Sequence, residues 1–579
     1  MPDAFFVSNK TRKRKRSLGV KSASSSRKQV NGKGRPEGKA PNTKKRKDEE
    51  LESDATRSDE DIDDLDLRAS ESDPNASGDE DELETPAEKR LRLAQVYLDS
   101  VKEELAMNAG EVDAAELDRE IIASRLKQDV MQHSGRMHRF LAASLYVPDE
   151  PLYLRTRGHR QAVTGAVASP SGKYLFTSGK EGSIIRTDLS TGKPVATFYK
   201  LKLGGHTEGK GKGKAIADVH GHTDEVLALA LSDDEKLLAS GGKDKKLIVW
   251  DVGKNEWLRS FGGHKDTISG LAFRKGTNQV YTASLDRTLK LFDLSPNVMG
   301  YVDTLFGHQD HVVCLDALRA ETAVSVGTRD RTARFWKVVD ETQLVFRGGG
   351  VSKVREVLEG GLEGLDDDEG THLGKRVEKR YEEGSLECVA MIDESTFVTG
   401  GDSGSLSIWT TGKKKPIFTQ ALAHGMHDTY SETEGVVSTP RWITSIACLR
   451  YGDVLASGSW SGQVRLWKIA VDSSNKSRPL SLTLIGELPA PGFVNSVQVL
   501  LVPRTATDGW EWLAAKRDKA AGNSSQPNGD SVLATNERHA KESLIVVAGL
   551  GREPRLGRWM TLKGDGASNG SRVFVLHQK

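Results

Sequence analysis

Three stretches of this chain repeat one pattern. They run from Gly221-His222 to Trp250-Asp251, from Gly263-His264 to Phe292-Asp293, and from Gly307-His308 to Trp336-Lys337. Successive histidines are 42 and 44 residues apart. That period fits a four-stranded propeller blade and exceeds that of most helical solenoid repeats.

The spacing inside each repeat has a mechanical reason. In the first of the three, Asp244 sits in a tight turn six residues before Trp250, and Ser240 lies four residues before the aspartate. His222, Ser240, Asp244 and Trp250 can then join in one hydrogen-bond chain that ties the incoming loop to the inner strands and satisfies groups costly to bury. The next repeat has His264, Thr282, Asp286 and Phe292, a ring without a donor. The third keeps His308, Asp330 and Trp336 but places Val326 where the hydroxyl is expected. These residues are read as structural.

Weaker copies extend the count to seven. Blade one runs from Gly158-His159 to Thr187-Asp188. Blade five has Thr399-Gly400-Gly401-Asp402 and Ile408-Trp409, and blade six has Ser457-Gly458-Ser459-Trp460 and Leu466-Trp467-Lys468. Each alternates apolar and polar residues as sheet strands do. Blade seven is expected to use Phe493 to Val502, Leu544 to Gly549 and Leu556 to Trp559. Leu152 to Leu154 and Val573 to Leu576 both compete for its outermost strand. The expectation is an all-β, seven-bladed propeller over residues 151–579, a disordered charged tail over 1–84 and a short helical segment over 85–135.

The net charge of +1 conceals an asymmetry. Residues 1–47 carry sixteen Lys and Arg against Asp3 and Glu37, and residues 48–84 carry eighteen Asp and Glu against Arg57 and Arg68. Neither block has enough apolar residues to offset the entropy of ordering. The clusters Lys10, Arg12, Lys13, Arg14, Lys15, Arg16 and Lys44, Lys45, Arg46, Lys47 are dense enough for a nuclear import signal or a nucleic-acid arm. Ser53, Ser58, Ser70, Ser72 and Ser77 stand among carboxylates, where acid-directed phosphorylation is expected.

Between tail and propeller, Thr85-Pro86-Ala87-Glu88 reads as a capping box with proline at the first helical position. Leu91, Leu93, Val96, Tyr97, Val101 and Leu105 follow at helical spacing. A second start at Asp113-Ala114-Ala115-Glu116 leads into Leu117, Ile121, Ile122, Leu126 and Val130. Both stripes need a surface to bury against, either the propeller or a partner.

Other classes are disfavoured. No apolar run reaches the roughly 18 residues of a membrane span, and the amino terminus has no secretory pattern. Cys314, Cys388 and Cys448 lie in no metal-ligand spacing and fit a reducing compartment. No phosphate-cradling loop or metalloprotease motif occurs, and His424, His427 and Asp428 read as loop residues. No enzyme activity, cofactor, metal or small-molecule substrate is expected.

The helix Glu88-Lys89-Arg90-Leu91-Arg92-Leu93-Ala94, the propeller and the ending Arg552-Glu553-Pro554-Arg555-Leu556-Gly557-Arg558-Trp559 together resemble the WD-repeat proteins of the U3 small nucleolar ribonucleoprotein. The resemblance implies a WD40 propeller and a nucleolar, non-catalytic protein that binds the box B/C region of U3 RNA beside a small kink-turn-binding protein. It also implies work among the small-subunit processome proteins in pre-rRNA processing and 18S rRNA maturation. Long inserts at about Thr191 to Val219, Gly348 to Glu383 and Thr505 to Lys541 depart from the family pattern.

The residues offer their own route to an RNA surface. Seven positions before each blade's Trp site lies a turn residue expected to point out of the face that carries the His and Asp groups. That column reads Lys180, Lys243, Leu285, Arg329, Asp402, Trp460 and Arg552, and Arg331, Arg465, Arg555 and Arg558 lie nearby. Cations with one stacking aromatic suit RNA loops and bulges. The alternative is a protein-only nuclear scaffold reading a histone tail or degron, with Trp460 as its anchor.

Overall fold

Val226–Leu231 reads VLALAL and is buried at every position but its last, and Leu237–Gly242 beside it is buried throughout. Strands apolar on both faces belong between two other layers. Glu256–Phe261, at the outer edge of the same sheet, is mostly exposed. This gradient from buried inner strand to wetter outer strand recurs in blades one to four and is what a radial stack of sheets requires.

The structure is a computed structural model and describes residues 126–578 apart from 202–219, 349–383, 432–434, 472–479, 522–541 and 565. The charged tail, its basic clusters and serines, and the helix starts at Thr85 and Asp113 lie outside the described residues. So does most of each long insert.

Residues 163–198, 226–261, 268–306, 312–347, 386–420 and 445–489 form six antiparallel four-stranded meanders. The seventh blade draws on both ends of the region: Phe493–Pro503, Glu542–Gly551 and Gly570–His577 are its inner three strands, and Tyr153–Thr156 is its outermost. Tyr153 pairs with Phe574 and Thr156 with Ser571. Both segments that compete in the sequence are therefore used, one as third strand and one as fourth. Leu556 to Trp559, expected as a strand, lies in the loop between Glu542–Gly551 and Gly570–His577. Pro554 lacks an amide donor and Gly557 has φ of +84°, so that segment cannot join a ladder, whereas Val573 to Leu576 pairs along its length.

The first strand of each blade packs on the first strand of the next, and Val163–Ala168 meets Phe493–Pro503 to complete the ring. Close approach between blades explains two glycines in second strands. A Cβ on Gly241 would stand 2.5 Å from Ile268, and one on Gly458 would stand 2.5 Å from Val494. Aromatic rings fill other seams: Phe346, Phe397 and Trp409 are fully buried, with Phe346 5.1 Å from Phe397 and 5.9 Å from Trp409.

The described part of the insert after Phe493–Pro503 is helical. α1 (Arg504–Asp508) and α2 (Glu511–Ala521) bring Trp510 and Leu513 against Leu154, Leu189 and Val502. Trp512 Nε1 donates to the Leu189 carbonyl at 2.8 Å. No helix among the described residues is long and apolar enough to cross a membrane.

Residues 126–133 are helical, with Leu126 and Val130 exposed. The chain then crosses blade six at the loop between its first two strands. His138 stacks on Tyr451 at 5.6 Å, and the buried Asp453 carboxylate accepts from the Leu141 and Ala142 amides at 2.8 and 3.0 Å. In a meander this loop is at the end opposite the turn between strands two and three, so the segment lies on the face away from the His and Asp groups.

Candidate nucleic-acid interface

Five blades tie one face together with a buried histidine. His222 Nδ1 lies 2.8 Å from Asp244 and its Nε2 lies 2.7 Å from Ser240, which also accepts from Trp250 Nε1 at 2.8 Å. His264 bridges Asp286 and Thr282 at 2.9 and 2.7 Å. In blade one His159 bridges Glu181 and Thr177, so glutamate replaces the usual aspartate. Burial pushes the Glu181 carboxyl up, but hydrogen bonds from His159 and Ser183 outweigh it and hold the group at about 2. Asp244, Asp286 and Asp330 are lowered in the same way.

The structure corrects two readings here. In blade four the hydroxyl is not lost at Val326. Ser325, one residue earlier, takes the bonds of His308 at 2.8 Å and Trp336 at 2.8 Å. The sequence position is displaced because the following turn is one residue longer: Trp336 follows Ser325 by 11 residues, where Trp250 follows Ser240 by 10. In blade six the histidine is His424, which lies in a turn as read but takes the tetrad position, while His427 and Asp428, read with it as loop residues, lie in the strand Met426–Ser431. His424 Nε2 lies 2.9 Å from Ser457 and its Nδ1 3.0 Å from Ser461, and Ser457 accepts from Trp467 at 2.9 Å. Burial, then Arg465 and Arg441, push its pKa down to about 3. Both ring nitrogens are committed, which leaves none for a metal.

His424 was hidden because a hairpin, Met426–Ser431 with Gly435–Pro440, separates it from its blade. The hairpin stands beside the tetrad face, with Tyr430 81% exposed.

The turn column also changes. The amides of Lys180, Lys243, Leu285 and Asp402 each donate to a carbonyl of the preceding loop, at Ala162, Glu225, Thr267 and Ser385. In blade four that bond is made by Thr328 to His311, so Arg329 is the extra residue of the longer turn. Arg552 was counted from Trp559, which is in no strand; it follows the strand ending at Gly551 and opens a loop.

Exposure divides the column. Lys243, Arg329 and Arg552 are exposed. Lys180 is buried, its Nζ 2.6 Å from the Gly557 carbonyl and 3.4 Å from Glu553, and burial lowers its pKa. Trp460 is buried too, and its Nε1 has no hydrogen-bond partner.

Trp460 packs against His427 of the hairpin at 4.6 Å and against Trp442, and the loop from Arg552 to Asn569 covers Lys180. It leaves blade seven and reaches across the tetrad face. Arg555 donates to the Ser269 carbonyl at 3.0 Å and the Val313 carbonyl at 2.9 Å, on the inner strands of blades three and four. Arg558 pairs with Glu225 at 2.5 Å, and Asn495 Nδ2 holds the Glu553 carbonyl at 3.0 Å. Within this loop Gly566-Ala567-Ser568-Asn569-Gly570 has the letters of a nucleophile elbow, but it leads into a strand rather than a helix.

The loop presents Trp559, 72% exposed. Its ring lies 5.3 Å from Trp442, which in turn lies 5.4 Å from Trp460 and 6.0 Å from Phe493. Arg441 stands over Trp460 at 5.6 Å. A supported, solvent-facing indole beside the partly exposed Arg558 is chemically a stacking platform next to a cation. Sequence reasoning placed the aromatic at Trp460 and missed Trp442 and Trp559. Only the supposed strand at Leu556 to Trp559 argued against an exposed Trp559.

The WD domain, G-beta repeat model matches residues 151–185, 213–251, 255–293, 300–337 and 434–468. Over 564 residues the chain is 31% identical to ribosomal RNA-processing protein 9 of Saccharomyces cerevisiae, covering 87% of this chain and 91% of that protein. It is 31% identical to U3 small nucleolar RNA-interacting protein 2 of Homo sapiens, covering 83% and 80%. The crystal structure of RRP9 WD40 repeats superimposes with a TM-score of 0.53 at 31% identity, over 75% of this chain and 99% of that one.

Proposed function

This chain belongs to the WD-repeat family of U3 snoRNP-associated proteins, and on that premise we propose that it is a non-catalytic, RNA-binding component of the U3 snoRNP acting in ribosomal RNA processing. The observation that carries this reading is the identity to ribosomal RNA-processing protein 9 and to U3 small nucleolar RNA-interacting protein 2 across four fifths or more of each. Function then lies in the nucleolus, in the small-subunit processome, toward 18S rRNA maturation. The RNA is the box B/C region of U3, bound beside a small kink-turn-binding protein, and the basic clusters around Lys13 and Lys45 direct nuclear import.

On the protein side, the reading assigns the contact to the tetrad face. Lys243, Arg329, Arg552 and Arg558 supply exposed positive charge there, and Trp559 supplies a surface for an unstacked base. Phosphate contacts of this kind position RNA, and stacking favours unpaired nucleotides over duplex. The buried Lys180 and Trp460 support the face from beneath, and Arg555 holds the loop in place.

Crosslinking the protein to RNA in cells and sequencing what is recovered tests the proposal. U3 RNA enriched at its box B/C region is the expected result. Recovery of messenger RNA alone, or of no RNA, overturns it.

A further inference from the structure

The inner strands of the seven blades enclose a channel of about 370 Å³. Arg555 reaches across its tetrad end. The other mouth carries Arg139, Asp233, Lys275 and Arg450. Three of these come from equivalent positions, two residues beyond the inner strands that end at Leu231, Phe273 and Cys448; Arg319 occupies the same position in blade four. Arg139 arrives from outside the propeller. Its amide donates to the Tyr451 carbonyl at 2.9 Å, and its carbonyl accepts from the Asp453 amide at 3.1 Å, so its backbone is fixed on both sides.

These cations are poorly compensated. Arg450 approaches Asp233 only to 3.9 Å. Among the described residues no ion pair holds Arg139, Lys275 or Arg319. The nearby acids are engaged elsewhere: Glu394 accepts from the Arg319 and Ala320 amides and the Tyr451 hydroxyl, and Glu321 pairs with Arg274. Lys275 stands over the Tyr451 ring at 5.6 Å, and burial together with Arg450, Arg139 and Arg319 lowers its pKa against the pull of Asp233. Asp316, in the channel wall, faces Arg450 and accepts from the Met391 and Ala317 amides. Arg139, Lys275, Arg450 and Arg319 still outnumber Asp233 and Asp316, and the excess charge focuses positive potential into the concave mouth.

We propose that this mouth binds a small, multiply charged phosphate compound. Three guanidinium forks and an ammonium match tetrahedral phosphate oxygens better than they match a lone carboxylate. The channel wall behind them mixes apolar residues such as Leu231 and Leu501 with Ser445, Ser496, Gln498 and Asp316. The site is on the opposite face from the proposed RNA surface and does not depend on that reading.

The test is titration of the full-length protein with inorganic tripolyphosphate at physiological salt, followed by calorimetry. Saturable one-to-one binding is expected, with Arg139→Gln and Lys275→Gln each weakening it about tenfold, the loss of one charge-assisted contact. Lys413→Gln, an exposed change in the loop 411–415 of blade five, should leave the affinity unchanged. Arg139 is exposed, so its replacement does not endanger folding; circular dichroism checks Lys275→Gln. Absence of saturable binding, or an equal loss with Lys413→Gln, overturns the proposal. Displacement of tripolyphosphate by single-stranded RNA without a terminal phosphate, itself abolished by Arg139→Gln, also overturns it by assigning the mouth to the RNA backbone.

Discussion

His424 and Ser457 lie 2.9 Å apart although 33 residues separate them, where the corresponding pairs in blades two and three are separated by 18. The same Ser457 hydroxyl also accepts from Trp467, so one oxygen serves two buried groups in blade six. Blade four has the same economy at Ser325.

Replacing that oxygen should therefore be costly. Ser325→Ala leaves His308 Nε2 and Trp336 Nε1 without partners in the interior, while His308 Nδ1 keeps Asp330, a loss of about 1 to 3 kcal/mol. Val326→Thr, which puts a hydroxyl where the repeat spacing asks for one, should bring no stability because Ser325 already makes the bonds. Denaturant midpoints of the two variants distinguish these outcomes; a stabilised Val326→Thr would show that the tetrad runs through residue 326.

His424 makes stability depend on mild acid. Its folded pKa is depressed to about 3, while the unfolded value is about 6.5. The unfolded chain thus takes up a proton that the folded chain refuses, so the contribution is complete above about pH 6.5 and is lost as pH falls toward 3. The slope approaches about 1.4 kcal/mol per pH unit for one proton. Melting temperature should drop between pH 6.5 and 5, and His424→Gln, which does not titrate, should flatten that part of the curve. Glu181, held at about 2, acts only at lower pH, below its unfolded value of about 4.3.

Arg555→Met removes the two hydrogen bonds that tether the Arg552 to Asn569 loop to blades three and four. The blades should remain folded, since the loop is not part of their ladders. Hydrogen exchange in residues 556–564 should speed up and protease should cut there first. Unchanged protection in that segment would mean that the Lys180 and Arg558 contacts suffice to hold it.

Trp559 and Trp460 should part company. Trp559→Ala is expected to weaken RNA binding by about 1 to 3 kcal/mol, the usual worth of one stacked base, with little change in melting temperature. Trp460→Ala should instead cost about 3 to 5 kcal/mol of stability, as a buried ring does. Filter binding with U3 box B/C RNA and thermal melts of both variants provide the comparison.

The exposed cations should act through charge. Changing Lys243, Arg329 and Arg552 together to Glu should weaken RNA binding across sequences and reduce the slope of log affinity against log salt, since fewer counterions are released. An unaltered slope would move the RNA surface away from this face.

Some of this was legible in the chain itself. Blades two and three announce themselves because a single meander has a fixed length of strand and turn, and because the His, Ser or Thr, and Asp groups that hold it must keep their spacing. Insertions defeated the same reasoning elsewhere. One extra turn residue displaced Ser325 by a position, and a whole hairpin hid His424. In blade seven a loop of alternating appearance stood in for a strand that lies further on.

The sequence by itself determined the count of seven blades, since strand pairing within blades one to six is local and its period survives in the letters. It left open the closure of blade seven by Tyr153–Thr156. Exposure was decided by tertiary structure alone. Lys180 is buried under Gly557, 377 residues away in the chain, while Trp559 stands exposed on Trp442. Whether a turn residue faces water depends on what distant segment lies across it, and the spacing within one repeat holds no record of that crossing.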